Sequence, residues 1–295
     1  MSLPRPIAGD WLGLRRTADS RAREASLYLV NRLRERLGAA SGPVSVLDLG
    51  AGTGANQAWL APRLGDDGSG GTGLDQHWTL LDHDPALLEL AADVTHPRVL
   101  GTTRVRADLR DLPRLLAGAA APRLVTCSAV LDLFTPSQVD QLCRSCLGTG
   151  SAALLALSVT GRVTVLPGHP DDDRVARAFN AHQQRAATGS GQAGGTRVAA
   201  LSGPDGWRLA VSVFSAAGWQ VHTAATDWDL GPDLAPMAGR FLADRVYAVL
   251  EFAADRDEES LAGTARSWLA ARLAQLEDGD LRVRVEHRDV LAVAP

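Results

Sequence analysis

Apolar residues recur in two rhythms along this chain. From Asp19 to Leu37 they fall at helical spacing (Leu27, Val30, Leu33, Leu37) with Arg and Glu between them, which predicts an amphipathic helix. The Gly38–Pro43 stretch ends it. Val44 to Leu49 is a short apolar run closing on a glycine cluster, the pattern of a buried parallel strand entering a tight turn. A helix over Ala55–Leu64 follows, then a glycine-rich run, Gly65 to Gly73. The alternation continues with strand Trp78–Leu81 and helix Ala86–Ala92, then a strand near Val99–Ala107. Strand Leu124–Val130, a helix after Pro136 and strand Ala152–Val159 complete it. Strand and helix in regular alternation predict an α/β fold with a mostly parallel sheet and helices on both faces.

Beyond Thr160 the rhythm changes. Residues 161–203 hold a Pro/Asp turn, a short helical piece over Val175–Gln184 and a glycine-rich loop, Gly189 to Gly195, and read as an insertion over one end of the sheet. Helix Pro204–Ala217 and strand Trp219–Ala224 resume the pattern, followed by helices Leu234–Ala254 and Glu259–Leu276. The final strand, Leu281–Val293, opens with apolar residues at alternate positions (Leu281, Val283, Val285), which suits an antiparallel edge strand. The expected organisation is an N-terminal helical cap over 1–43 and a single domain over 44–295, with a lid insertion at about 161–203.

Composition narrows the chemistry. A chain of 295 residues can bury a large core, and its formal charge of −4 comes with scattered rather than clustered Arg. That argues against a dedicated nucleic-acid or membrane-surface protein; a small-molecule substrate and a monomer or homodimer are expected. There is no Lys, so a lysine Schiff base and a phosphate loop ending in Gly-Lys-Ser/Thr are both excluded. Cys143 and Cys146 form a lone C-x-x-C in a predicted helix; with no second pair or nearby His, structural thiols and no metal are expected. The N-terminus lacks the order of a signal peptide, and no apolar run approaches the roughly 20 residues of a membrane span, so a cytoplasmic location is expected.

The strongest chemical signal is Val46-Leu47-Asp48-Leu49-Gly50-Ala51-Gly52-Thr53-Gly54. Alternate glycines let the backbone turn tightly and let a ligand approach without meeting a β-carbon. The helix that follows offers unpaired N–H groups. Gly50, Gly52 and Ala55 also satisfy the fingerprint of dinucleotide binders, so the motif alone is ambiguous. Asp48 separates the readings, because a carboxylate there repels a pyrophosphate and attracts an ammonium. Asp82 ends the second strand, where it can accept ribose hydroxyls, and Asp108 ends the third, where it can accept from an exocyclic amine. Three acids at successive strand ends suit a cationic nucleoside.

These residues, with Ser128 to Asp132 at the fourth strand end, resemble the class I S-adenosylmethionine-dependent methyltransferases. Trp11 to Arg15, Phe179 to Gln183 and the closing Arg282 to Asp289 look like an actinobacterial-type branch of that family. The resemblance implies a Rossmann-like, seven-stranded, mostly parallel sheet with an antiparallel C-terminal strand. It implies S-adenosylmethionine as cofactor and S-adenosylhomocysteine as product. Asp48, Gly50, Ala51, Gly52 and Gly54 would surround the methionine part, Asp82 with His83 the ribose, Asp108 with Leu109 the adenine, and Ser128 with Ala129 the methionine end. Methyl transfer to a small molecule is the expected function, with O-methylation ahead of N- or C-methylation. A non-catalytic cofactor-binding sensor or assembly protein and a nicotinamide-dependent oxidoreductase are the alternatives.

For the acceptor side, Trp11 and Arg15 share a helical face that can close as a lid, or serve as a solvated salt-bridge stripe. Phe134, Phe179 and Asn180 are the further candidate substrate contacts. Asp132 is either catalytic or the cap of the Pro136 helix. His182 lies three residues from Phe179 on the predicted helix and can act as a general base, or merely pack the lid.

Overall fold

A computed structural model of the protein describes residues 9–39, 42–65, 73–185 and 200–295. The chain opens with α1 (Gly9–Arg23), a short 3-10 turn, α2 (Leu27–Gly38), β1 (Val44–Leu49), α3 (Ala55–Gly65) and β2 (Gln76–Asp82). It continues through α4 (Pro85–Glu89), β3 (Val99–Arg106), α5 (Leu112–Gly118), β4 (Arg123–Ser128), α6 (Pro136–Thr149) and β5 (Ala152–Leu166). Then come α7 (Asp172–Gln183), α8 (Gly206–Ala216), β6 (Gln220–Ala225), β7 (Trp228–Leu230), α9 (Ala235–Ala254), α10 (Glu259–Glu277) and β8 (Arg282–Val293). The sheet order is β3-β2-β1-β4-β5-β8-β6, with β7 also paired to β8. β1 to β5 run parallel, and β8 runs antiparallel to β5, β6 and β7.

β1 is buried along almost its whole length, as its unbroken apolar run requires of a central strand. α2 and α3 cover one face of the sheet through Leu29, Leu33, Leu60 and Leu64; α6 and α8 cover the other through Leu142, Cys146, Ala210 and Phe214. A third core lies beyond the carboxyl ends of the parallel strands, where α1, α7, α9 and α10 pack on β7 and the far halves of β5 and β8. That core depends on the length of β5. Its first residues pair with β4 and are solidly buried, while Val163 to Leu166 pair only with Val285 to Arg282. Strand therefore continues to Leu166 where the sequence predicts that the insertion begins. The glycine-rich runs 66–72 and 186–199 lie outside the described residues.

Three expectations need correction. β8 is internal rather than at an edge: its first half alternates, but Val290-Leu291-Ala292-Val293 is apolar throughout, as a strand with neighbours on both sides needs. The sheet gains an eighth strand in β7, three residues too short to show periodicity. The N-terminal helix begins at Gly9 and is broken at Glu24–Ser26, rather than starting at Asp19. No described helix is long and apolar enough to cross a membrane.

Candidate active site

The turn after β1 takes up the left-handed backbone that its glycines permit, with φ of +68° at Gly50, +53° at Gly52 and +77° at Gly54. A side chain on Gly50 would meet Val130 Cγ1 at 2.8 Å. Asp82 bolts this turn to β2: its Oδ2 accepts from Gly52 N at 2.8 Å and its Oδ1 from Asp84 N at 2.9 Å. The cap of α4 falls to Asp84, which accepts from Ala86 N. His83 is exposed, with Nδ1 3.2 Å from Asp82 Oδ1. Ala51 and Leu109 are buried.

Two acids are placed differently from the sequence expectation. Asp48 has no exposed surface and cannot face a ligand ammonium directly; its Oδ1 accepts from Asn56 Nδ2 at 2.7 Å and its Oδ2 has no partner. Burial raises its pKa to about 7 against the opposing Asn56 hydrogen bond and the charge of Arg23. Arg23 is itself buried, donates to Asn56 Oδ1 at 2.8 Å and stacks 3.9 Å from the Trp59 ring centre. The pair forms a support beneath the glycine turn. Asp108 caps its own 3-10 turn, accepting from Arg110 N, and ion-pairs the Arg110 side chain, which holds its carboxyl below the ordinary range. Its carboxylate is thus engaged locally rather than waiting for an amine.

At the end of β4, Ser128 is partly exposed and Ala129 adopts φ of 56°, a conformation costly for a residue with a Cβ. That kink sends Val130 over Gly50 and turns Ala129 and Asp132 toward a cavity of about 260 Å³. The cavity lies between the sheet and the third core. Of the sequence candidates, Trp11, Arg15, Asp132, Phe179 and Asn180 all line it, although they come from α1, the β4 end and α7. Burial raises the Asp132 pKa to about 6, opposed by the charge of Arg15. Arg15 pairs with Asp19 at 2.8 Å, and Trp228 Nε1 donates to Asp19 at 2.9 Å. Asn180 Nδ2 donates to Gly161 O at 2.9 Å, where φ is +80° and a Cβ would meet Pro204 at 2.8 Å.

His182 is not at the cavity. Val175, Ala178 and His182 form the buried stripe of α7, while Phe179, Asn180 and Gln183 form its cavity face. The ring sits 3.2 Å from Glu251 on one nitrogen and 2.9 Å from Arg185 on the other, and burial with the Arg185 charge lowers its pKa. Phe134 is also displaced, packing against the α6–α8 core. The cavity imidazole is instead His287, buried on β8 with its ring centre 4.7 Å from that of Trp228. Its Nδ1 lies 3.0 Å from Val285 O, and burial and the charge of Arg15 lower its pKa to about 3. A neutral ring that donates from Nδ1 leaves Nε2 as an acceptor. The signal was in the strand parity, because His287 continues the inward series Val283, Val285. Trp228, Phe241 and Arg245 also line the cavity and were missed. Arg245 follows the apolar stripe Ala238, Leu242, Val246 and Val249 closely enough to have been marked as inward-facing.

Cys127, Cys143 and Cys146 are buried thiols, and burial pushes Cys143 up to about 12. Among the described residues, no three His, Cys, Asp or Glu side chains gather as a metal site requires.

No family model and no curated protein matches the chain. Among solved structures it is similar to a cyclopropane-fatty-acyl-phospholipid synthase-like protein from Lactobacillus casei, at 14% identity and a TM-score of 0.50, over 99% of this chain and 95% of that one. A putative type II methyltransferase from Anaeromyxobacter dehalogenans matches over 91% of this chain and 95% of its own, at 15% identity and a TM-score of 0.46. The likeness to the first is one of fold: this chain has a Rossmann-like α/β fold, with a mostly parallel sheet closed by antiparallel C-terminal strands.

Proposed function

We propose that this chain is an enzyme that transfers a methyl group from S-adenosylmethionine to a small acceptor and releases S-adenosylhomocysteine. The observation that carries the reading is a juxtaposition. The glycine turn bolted by Asp82 and an aromatic-walled cavity meet at one kink, where Val130 covers Gly50 and Ala129 with Asp132 face the cavity. The residues fit the cofactor: Gly50 has no room for a β-carbon, Gly50, Gly52 and Gly54 all hold a left-handed backbone, and Asp82 keeps a carboxylate at the β2 tip beside them. Gly50 to Gly54 would hold the methionine part, Asp82 the ribose, Leu109 the adenine edge, and Ser128 with Ala129 the methionine end. When bound, the cofactor supplies a methyl already activated by a sulfonium leaving group.

The protein's task is then to position the acceptor and keep water out. Trp11, Phe179, Trp228 and Phe241 provide the walls. α1 and α7 act as the cap, with Leu12 placed 3.4 Å from where a Gly52 Cβ would stand. Asp132, at about 6, suits the removal of a proton from a hydroxyl, which is why O-methylation is the preferred chemistry. His287, neutral at working pH, accepts a hydrogen bond and orients the acceptor. Calorimetry against S-adenosylhomocysteine and NAD tests the reading. Binding of the first alone is expected; well-folded protein that binds neither, or only NAD, overturns it.

A further inference from the structure

Among the described residues, one cation on the cavity wall has no counter-charge. Arg245 is 3% exposed, its Nη2 is buried without a hydrogen-bond partner, and among the described residues no carboxylate pairs with it. The other cavity arginines are matched: Arg15 to Asp19, and Arg162 to Glu286 at 3.9 Å. Burial lowers the Arg245 pKa to about 9. A buried, unpaired guanidinium is costly, and such groups are ordinarily paired. Its flat surfaces are in use, lying 4.1 Å from the ring centre of Phe179 and 5.9 Å from that of Phe241. What remains is the edge, whose N–H donors suit a carboxylate. A phosphate monoester, at about −2, would bring more charge than the one unpaired guanidinium neutralises.

We propose that the acceptor is a small aromatic or otherwise apolar molecule bearing one carboxylate, and that Arg245 receives this group. The inference rests on the reading of the cavity as the acceptor site. It places the two ends of the acceptor apart, with the anion at Arg245 and the methylated atom near Asp132 and Ala129. At about 260 Å³ the cavity lies below the roughly 300–1,000 Å³ of common ligand pockets, so the acceptor is small.

Ligand-observed NMR titration supplies the test, with benzoate, phenylacetate and cinnamate, the amide of each, and phenyl phosphate as probes. At least one acid should bind ten times or more tighter than its amide and tighter than phenyl phosphate. Arg245→Met should abolish that preference while melting no lower than the wild type, and Arg245→Lys should keep part of it. The proposal is overturned if no acid outbinds its amide, if phenyl phosphate binds best, or if Arg245→Met leaves the preference intact. The acid–amide comparison uses wild-type protein, so it decides even if the variant does not fold. Calorimetry with S-adenosylhomocysteine on the same samples separates this failure from that of the methyl-transfer reading. Acid binding without cofactor binding would sink the reading and keep the carboxylate site.

Discussion

Replacing Asp82 with alanine should weaken both the cofactor site and the fold, and the structure sets the relative sizes. Both carboxylate oxygens accept backbone N–H groups, from Gly52 at 2.8 Å and Asp84 at 2.9 Å, and the side chain is 6% exposed. A hydrogen bond to a charged group contributes roughly 1.5–3 kcal/mol, and water entering the cleft would recover part of what is lost. The expected destabilisation is therefore about 3 kcal/mol, or roughly 6–12 °C in melting temperature for a domain of this size. Losing an acceptor for a ribose hydroxyl would separately cost on the order of ten- to a hundredfold in affinity for S-adenosylhomocysteine. Asp82→Asn keeps one acceptor, so it should lie between alanine and wild type in stability. Urea denaturation with calorimetry on the three proteins reads both effects. An alanine variant as stable as the wild type would refute the bolt between β2 and the glycine turn. A variant destabilised as expected but binding cofactor normally would leave Asp82 a purely structural role.

Asp132→Asn should lower turnover by roughly 10²–10⁴-fold with any acceptor the wild type methylates, and should remove the rise of kcat/KM with pH through about 6 that the raised carboxylate pKa implies; a variant that retains that pH limb excludes Asp132 as the base. Asp48 makes a prediction about stability. Because its pKa is about 7 in the fold against an ordinary 3.8, the folded chain holds a proton between these values that the unfolded chain has lost. Stability from this group is greatest below the lower value and declines as pH rises through the higher one, by up to roughly 4 kcal/mol. The stability of Asp48→Asn relative to wild type should accordingly improve from pH 5 to pH 8. Urea midpoints at the two pH values showing an unchanged difference would rule out a buried, protonating Asp48.

The half of the site proposed to hold the cofactor is local in the chain. A strand, its turn and the next helix are contiguous, and the glycines at 50, 52 and 54 announce their backbone conformation in their identity. The tip of β2 could likewise be located from its run of apolar residues. What a one-dimensional pattern does not carry is the competition for each acid's hydrogen bonds. Asp48 and Asp108 stand at strand ends as expected, yet Asn56 engages the first and Arg110 the second, through contacts that follow from turn and helix geometry rather than strand position.

The acceptor half draws on α1, the β4 end, α7, α9 and β8, so its membership depends on how those elements rotate about their own axes. Two histidines illustrate the point. A catalytic His182 requires that the helical face it shares with Phe179 be the free one. A helix packed against two neighbours divides its residues more finely, and a position three away can cross from cavity wall to core, as it does between Phe179 and His182. In a strand the division is coarser and safer, because the side chain has only two directions. Once Val283 and Val285 are known to point inward, His287 follows, because β8 keeps its alternation there: the register shift between the Val285–Val163 and His287–Val159 pairs places the extra residues on β5. Of the seven histidines, the one whose direction was best determined by the sequence was therefore on the last strand, and Arg15 with Trp228 gives that ring its electrostatic and packing environment.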